Sequence, residues 1–177
     1  MHRWITVGLA MLALSASPAP VQAATVYETR AQFLERAFGA ATPAPVVIWL
    51  SGERKAAVRE MLGHDYPALR LRYWCRDNRS AWVLEEIGKE LPITTGVIVD
   101  GDVISSLRVL TYRENRGGEV AAPAFTDQFN GAGLSGSGKL QARIDGISGA
   151  TLSVRALTRL AGVALYLNSE SGCRDDA

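Results

Sequence analysis

Hydrophobic positions recur with two different periods along this chain. Phe33, Leu34, Ala37 and Phe38 form one stripe at helical spacing. The capping-box spelling Thr29-Arg30-Ala31-Gln32 opens that helix, and Gly39, Pro43 and Pro45 close it. Val46-Val47-Ile48-Trp49-Leu50 is a continuous apolar run with three β-branched residues, which predicts a short buried strand. A second helix is expected from about Glu53, with Ala57, Val58, Met61 and Leu62 inward and Gly63 as its stop. Leu69, Leu71, Tyr73 and Cys75 then alternate with Arg70, Arg72 and Trp74, the pattern of a half-buried strand. Asp77-Asn78 supplies a turn, and Trp82-Val83-Leu84 begins the return strand. A second hairpin joins residues 94–99 to 103–111 through Asp100-Gly101, a dipeptide suited to a two-residue type I′ turn. The aromatics Tyr73, Trp74 and Trp82 read as core and cross-strand packing rather than a stacking platform for a cofactor.

Further on, Phe125 and Phe129 pair at i,i+4 in a short helix that ends at Gly131. Leu140-Gln141-Ala142-Arg143-Ile144 alternates like a strand. A glycine-rich turn follows, Asp145-Gly146-Ile147-Ser148-Gly149-Ala150-Thr151, and then a helix over about 152–167. Val154, Leu157, Leu160, Val163, Ala164 and Leu165 make that helix apolar on most of its surface, and Arg155 and Arg159 mark its polar stripe. The pattern predicts one α+β unit: a mainly antiparallel sheet of about five strands, the C-terminal helix packed on it, and smaller N-terminal helices. Residues 24–91 form a flank of the same globular unit as 92–168, and 169–177 read as a polar, flexible tail.

Composition sharpens this in three places. Residues 1–23 have the form of a cleavable signal peptide: a positive start at Arg3, an apolar stretch from Trp4 to Ala16, and Val21-Gln22-Ala23 as the cleavage site. The expectation is an exported, periplasmic protein that starts at Ala24. With 19 Lys+Arg against 18 Asp+Glu, and one of those arginines in the leader, the rest is close to neutral. It has no basic block, so nucleic-acid binding has no electrostatic footprint. Export would bring Cys75 and Cys173 into an oxidising compartment where they could bridge. Their separation, and the polar segment that carries Cys173, weigh against it, and the pairing stays open.

The chemistry concentrates in the turn at 145–151. Glycines at 146 and 149 allow positive φ or close approach to a ligand, and the following helix aims its free N–H groups back at the turn. Those groups and the helix dipole favour a phosphate. Ser148 and Thr151 place two hydroxyls there. The string D-x-x-S-G-A-T before a helix resembles the flavinylation motif of FMN-binding domains, among them the flavin-carrying subunits of Rnf and Na+-translocating NADH:quinone reductase complexes. The resemblance reaches upstream to about Ile93 and takes in the hairpin at Asp100-Gly101. It also takes in Phe125-Thr126-Asp127-Gln128-Phe129-Asn130-Gly131, which is similar to the family's F-x-x-Q-F-x-G element. Relatives carry E-T-x-G-x-G in a loop beside the flavin. Here Glu114 and Gly117 match, while Asn115 stands in place of Thr and a glycine follows at once at Gly118, so the family's ring contacts do not carry over, though the attachment does.

The resemblance implies FMN joined through a phosphoester to Thr151. A Mg-dependent flavin transferase would attach it with FAD as donor and AMP leaving. Asp145, Ser148, Gly149, Ala150, Leu152, Glu114 and Gly117 would form the cofactor site. Asp145 would orient the turn or the metal of the transfer, or act only as a turn-forming side chain, and Ser148 is expected to bond to backbone. The implied function is an electron carrier with a membrane-bound redox partner and no catalytic residues of its own. The alternatives are non-covalent FMN binding in the same cleft, or an exported interaction module whose turn is only a helix cap.

Two look-alikes are rejected. Gly133-Leu134-Ser135-Gly136-Ser137-Gly138-Lys139 fits G-x-x-x-x-G-K, but Leu140 replaces the hydroxyl residue that holds Mg²⁺ in a P-loop, and strand and helix stand in the wrong order. Gly146-Ile147-Ser148-Gly149 approaches a nucleophile elbow, yet His64 is the sole histidine after the leader and precedes the serine. It reads as a solvated helix-end residue.

Overall fold

A computed structural model describes residues 23–136 and 138–173; the expected leader, Ala23 apart, and the last four residues lie outside them. Six strands form one antiparallel sheet in the order β1-β6-β5-β4-β3-β2. They are β1 (Thr25–Val26), β2 (Val46–Trp49), β3 (Arg70–Arg76), β4 (Arg79–Ile87), β5 (Pro92–Asp100) and β6 (Val103–Tyr112). Helices α1 (Arg30–Phe38) and α2 (Gly52–Leu62) flank β2 in sequence; α3 (Pro123–Thr126) is a single turn, and α4 (Thr151–Ser169) ends the fold. This is the α+β architecture expected. Residues 88–91 are the turn that joins β4 to β5, which pair from Arg79↔Asp100 to Ile87↔Pro92, so the sheet spans both sides of that point.

Both faces of the sheet are covered. On one, α2 and α4 pack over Leu71, Tyr73, Trp82, Leu84, Val97, Val99 and Leu107. Leu157, Leu160, Val163 and Leu167 of α4 are fully buried there, each side chain contributing about 1.5–3 kcal/mol by its burial. On the other, Phe33, Leu34, Ala37 and Phe38 of α1 pack on Trp74, Ala81, Ile98 and Leu110. The Phe33 ring lies so close to the sheet that a Cβ on Gly96 would stand 2.5 Å from it. The capping box is formed as read, with Thr29 Oγ1 accepting from the Gln32 N–H and Gln32 Oε1 from that of Thr29. Tyr73 and Trp82 stack in the core with ring centroids 4.6 Å apart.

Several expectations are corrected. The apolar run at 46–50 is an edge strand rather than a buried one. Ile48 and Leu50 are buried, while Val46, Val47 and Trp49 are exposed, because β2 has no neighbour beyond it. The type I′ turn belongs to the first hairpin. Asp77 (φ 51°) and Asn78 (φ 61°) form the two-residue loop inside the Arg76↔Arg79 pair. In the second hairpin the loop inside Asp100↔Val103 is Gly101-Asp102, and only Gly101 is left-handed. Residues 140–144 are not a strand: Leu140, Ala142 and Ile144 do pack against the main core, but their backbone makes only the single bridge Leu134↔Leu140. The alternation records one-sided burial, not pairing. β1 was not foreseen, since two residues carry no period; it pairs with Tyr112 and Thr111.

The tail reaches the fold. Cys173 is buried and joined to Cys75 by a disulfide, with Cα atoms 5.6 Å apart. The same end of α4 is held by a buried polar chain. Trp82 Nε1 donates to Ser80 Oγ, Ser80 Oγ to Asn168 Oδ1, and Asn168 Nδ2 to the Gly101 carbonyl. Among the described residues, no helix is long and apolar enough to cross a membrane.

His64 is not simply solvated. Its Nε2 lies 2.8 Å from Oε1 of Glu86, whose side chain is 4% exposed. That hydrogen bond, with help from the Asp65 carbonyl, raises the imidazole pKa above 6.5 against the opposing effects of burial and Arg159. A raised folded-state value means that protonation favours the fold. The contribution is complete below pH 6.5 and is lost as pH rises through the folded value. The urea midpoint of the native protein should therefore fall over that window, and the step should vanish in His64→Gln; an unchanged step would assign it to another group.

Candidate functional site

The turn at 145–151 delivers the chain to α4 with an unusual start. The N-cap is Ala150, which offers no side-chain acceptor. The first intrahelical bond of the helix runs from the Val154 N–H to the Ala150 carbonyl, which leaves the N–H groups of Thr151, Leu152 and Ser153 without helical partners. A 19-residue helix thus presents its positive end uncapped. Gly149 makes the turn possible with φ 82°, whereas Gly146 is not left-handed and has open space around it, so only one of the two glycines is required by the backbone.

This helix end is one wall of a cleft of about 450 Å³ lined by Gly149, Ala150, Thr151, Leu152 and Ser153. The second wall is the loop after β6, with Glu114, Asn115 and Arg116, and the third is the β4–β5 turn, with Lys89 and Glu90. Thr151 is exposed and its hydroxyl makes no hydrogen bond among the described residues; Leu152 beside it is 42% exposed. The volume lies within the range of about 300–1,000 Å³ usual for cofactor clefts. A free hydroxyl, three free N–H groups, an exposed leucine and two nearby cations suit a phosphate followed by a larger, partly apolar group.

Glu114 enters this site through its backbone neighbours. One carboxylate oxygen, Oε1, accepts from the N–H groups of Lys89, Glu90 and Leu91 at 2.6, 2.6 and 2.9 Å. Burial pushes the carboxyl upward, but those three donors, led by Leu91, outweigh it and hold the pKa below the usual value. Glu114 fastens its loop to the β4–β5 turn. Gly117 lines no part of the cleft; it lets the loop close. At φ 85°, a Cβ there would stand 2.8 Å from the Tyr112 hydroxyl and 3.1 Å from Ala150 Cβ. Gly117→Ala should cost about 1–3 kcal/mol through left-handed strain and these clashes, read as a lowered urea midpoint. An unchanged midpoint would mean the loop can close another way.

The other expected residues fall outside the cleft. Asp145 is exposed, 3.6 Å from Arg143, and borders a separate concavity with Phe125, Gln128 and Ile147. Its backbone N–H donates to Gln128 Oε1, which anchors the start of the turn. Ser148 is exposed and, among the described residues, lacks the side-chain-to-backbone bond expected of it. Arg155 faces outward. Sequence reasoning did not find Lys89, Glu90, Asn115, Arg116 and Ser153 as lining residues. The first two show in the sequence only as a charged break between strands.

The P-loop look-alike has neither a strand before it nor a helix after it. It is a short loop closed by the Ser135 N–H to the Lys139 carbonyl at 2.8 Å. Lys139→Ala should leave stability within about 0.5 kcal/mol of native and flavin content unchanged. Nucleotide binding lost with that substitution would reverse the rejection.

An antiparallel sheet with the uncapped start of its last helix opening on a cleft, and an exposed threonine at that start, is the arrangement on which the comparisons bear. Residues 88–166 match the family model described as the FMN-binding domain. Among solved structures, the chain resembles NqrC of Shewanella oneidensis, with a TM-score of 0.54 and 18% identity over 77% of this chain and 88% of that one. It also aligns with the corresponding Na(+)-translocating NADH-quinone reductase protein of Parabacteroides distasonis ATCC 8503, at 0.45 and 18% over 71% and 78%. The first likeness shows a shared fold; the second is too loose to carry an argument. No curated protein matches the chain.

Proposed function

We propose that this protein is an exported electron carrier whose FMN is linked through a phosphoester to Thr151. The observation that carries the reading is the exposed, unbonded Thr151 hydroxyl at the uncapped start of α4, within a segment that matches the FMN-binding domain. The Thr151 oxygen forms the new bond to the FMN phosphorus of FAD, the bond to the AMP phosphate breaks, and the hydroxyl proton leaves with the help of a Mg-dependent flavin transferase. The phosphodiester left behind carries one negative charge, which the free N–H groups of α4 favour by about 0.3–1 kcal/mol at an exposed site. When bound, the flavin supplies one- and two-electron chemistry. The chain's own groups hold and orient it: α4 by its N–H groups, Leu152 by apolar contact, and the loop of Glu114 as the facing wall.

Export rests on the signal-like residues 1–23, and the Cys75–Cys173 disulfide supports it, since such bridges persist in oxidising compartments. The resemblance of the 145–151 turn to that of flavin-carrying subunits of redox complexes supports a membrane-bound redox partner. Acid precipitation after co-expression with a flavin transferase tests the attachment. Yellow colour that stays in the pellet, and fluoresces in a denaturing gel, is the expected result. Flavin released to the supernatant would mean non-covalent binding, and a colourless protein would mean an interaction module.

A further inference from the structure

The three walls of the cleft come from distant parts of the chain, and side-chain bonds tie them together at two points. Glu114 joins the loop after β6 to the β4–β5 turn. The other junction is Tyr112, 3% exposed, the last residue of β6. Its hydroxyl donates to the Arg116 carbonyl in the loop and lies 3.0 Å from Ser153 Oγ in the first turn of α4. A phenol has one proton to donate. With that proton on the carbonyl, Ser153, itself 4% exposed, must be the donor in the second bond. Both bonds therefore depend on one oxygen. The space around it is filled, as the 2.8 Å approach at Gly117 shows.

We propose that Tyr112 is a positioning residue for the flavin site: its hydroxyl locks the loop at 113–117 to the first turn of α4, so that the wall facing the cofactor and the wall carrying it hold one fixed separation. The proposal rests on the flavin reading for its functional consequence, but the lock itself does not. Without the hydroxyl, the Arg116 carbonyl and the Ser153 hydroxyl lose their partner in a place with little room for water. The loop and the helix start would then move independently, and the surroundings of a flavin held between them would change although its attachment point is intact.

Tyr112→Phe keeps the ring and removes the two bonds. In protein without flavin, exchange of the bonded amides beside each wall, Val120 (to the Gly117 carbonyl) and Val154 (to the Ala150 carbonyl), should rise together by about fivefold, the equilibrium weight of one net hydrogen bond, while β3 and β4 exchange as before. In flavin-loaded protein the visible absorption band and the reduction potential should shift at unchanged mass. Ser153→Ala removes the helix-side bond alone and should speed exchange at Val154 but not at Val120, which guards against a Tyr112 variant that fails to fold. Faster exchange across the whole fold, or unchanged exchange at either wall in Tyr112→Phe, would overturn the lock. Loosened walls with an unaltered flavin spectrum and potential would overturn the positioning role. A native protein that never takes up flavin would refute the FMN reading and leave the exchange result to decide the lock.

Discussion

Thr151→Ala is expected to fold like the native protein and to emerge without covalently held flavin. The side chain lost is exposed and makes no hydrogen bond among the described residues, so stability should change by no more than about 0.5 kcal/mol. Alanine is also a good residue for the first turn of a helix. What disappears is the proposed nucleophile, for which no neighbour substitutes. Ser153 is buried and bonded to Tyr112, and Ser148 lies three residues earlier, outside the cleft lining. Thr151→Ser should retain part of the flavin, because the hydroxyl survives on a less restricted side chain. Ser148→Ala should retain all of it. The comparison is made by in-gel flavin fluorescence at equal protein load. Flavin kept in Thr151→Ala and lost in Ser148→Ala would move the attachment to the wrong side of Gly149.

The second large effect concerns stability alone. The disulfide closes a loop between residues 98 apart and ties the segment after α4 to β3. A loop of this length corresponds to roughly 4–5 kcal/mol in the chain-entropy account, and removing a native bridge commonly costs about 2–5 kcal/mol. The double variant Cys75→Ser, Cys173→Ser should therefore show a much lower urea midpoint than the native protein, and reducing agent should lower the native midpoint toward it. Flavin content should be unchanged in protein that is still folded. Cys173 follows the C-terminal end of α4, and a 19-residue helix separates that end from Thr151 by about 28 Å. Equal midpoints would show that Ser80, Trp82 and Asn168 hold the helix end without help. Loss of flavin from the folded variant would show that the two ends of α4 are coupled.

What could be read in the sequence was mostly local. The capping box at Thr29, both hairpins and the apolar face of α4 are properties of short windows, and they appear where the pattern puts them. The errors arise where a neighbour distant in sequence decides. Val46-Val47-Ile48-Trp49-Leu50 reads the same at a sheet edge as at its centre, and only the strand order separates the cases. Leu140, Ala142 and Ile144 alternate because one side packs on the core, yet no strand lies beside most of their backbone. Cys173 is buried because α4 carries it back to β3.

The site divides in the same way. Thr151, Gly149, Ala150 and Leu152 are contiguous and were legible as one turn. Glu114 and Gly117 were singled out through the family resemblance, but their physical work, binding the β4–β5 turn and making room against Ala150, depends on contacts across the fold. Tyr112 showed nothing beyond its place at the end of an alternating strand. Asp145, placed in the site by the motif, stands in the structure at the start of the turn and away from the cleft.

The most direct test of the central claim is the intact mass of the protein purified from the cells that make it, followed by fragmentation of the peptide that spans residues 145–155. The account predicts a chain beginning at Ala24 that carries the mass of one FMN less one water, with the added mass on Thr151. A chain whose mass is fully explained by its amino acids and one disulfide, isolated from cells that make flavin transferase, would contradict it.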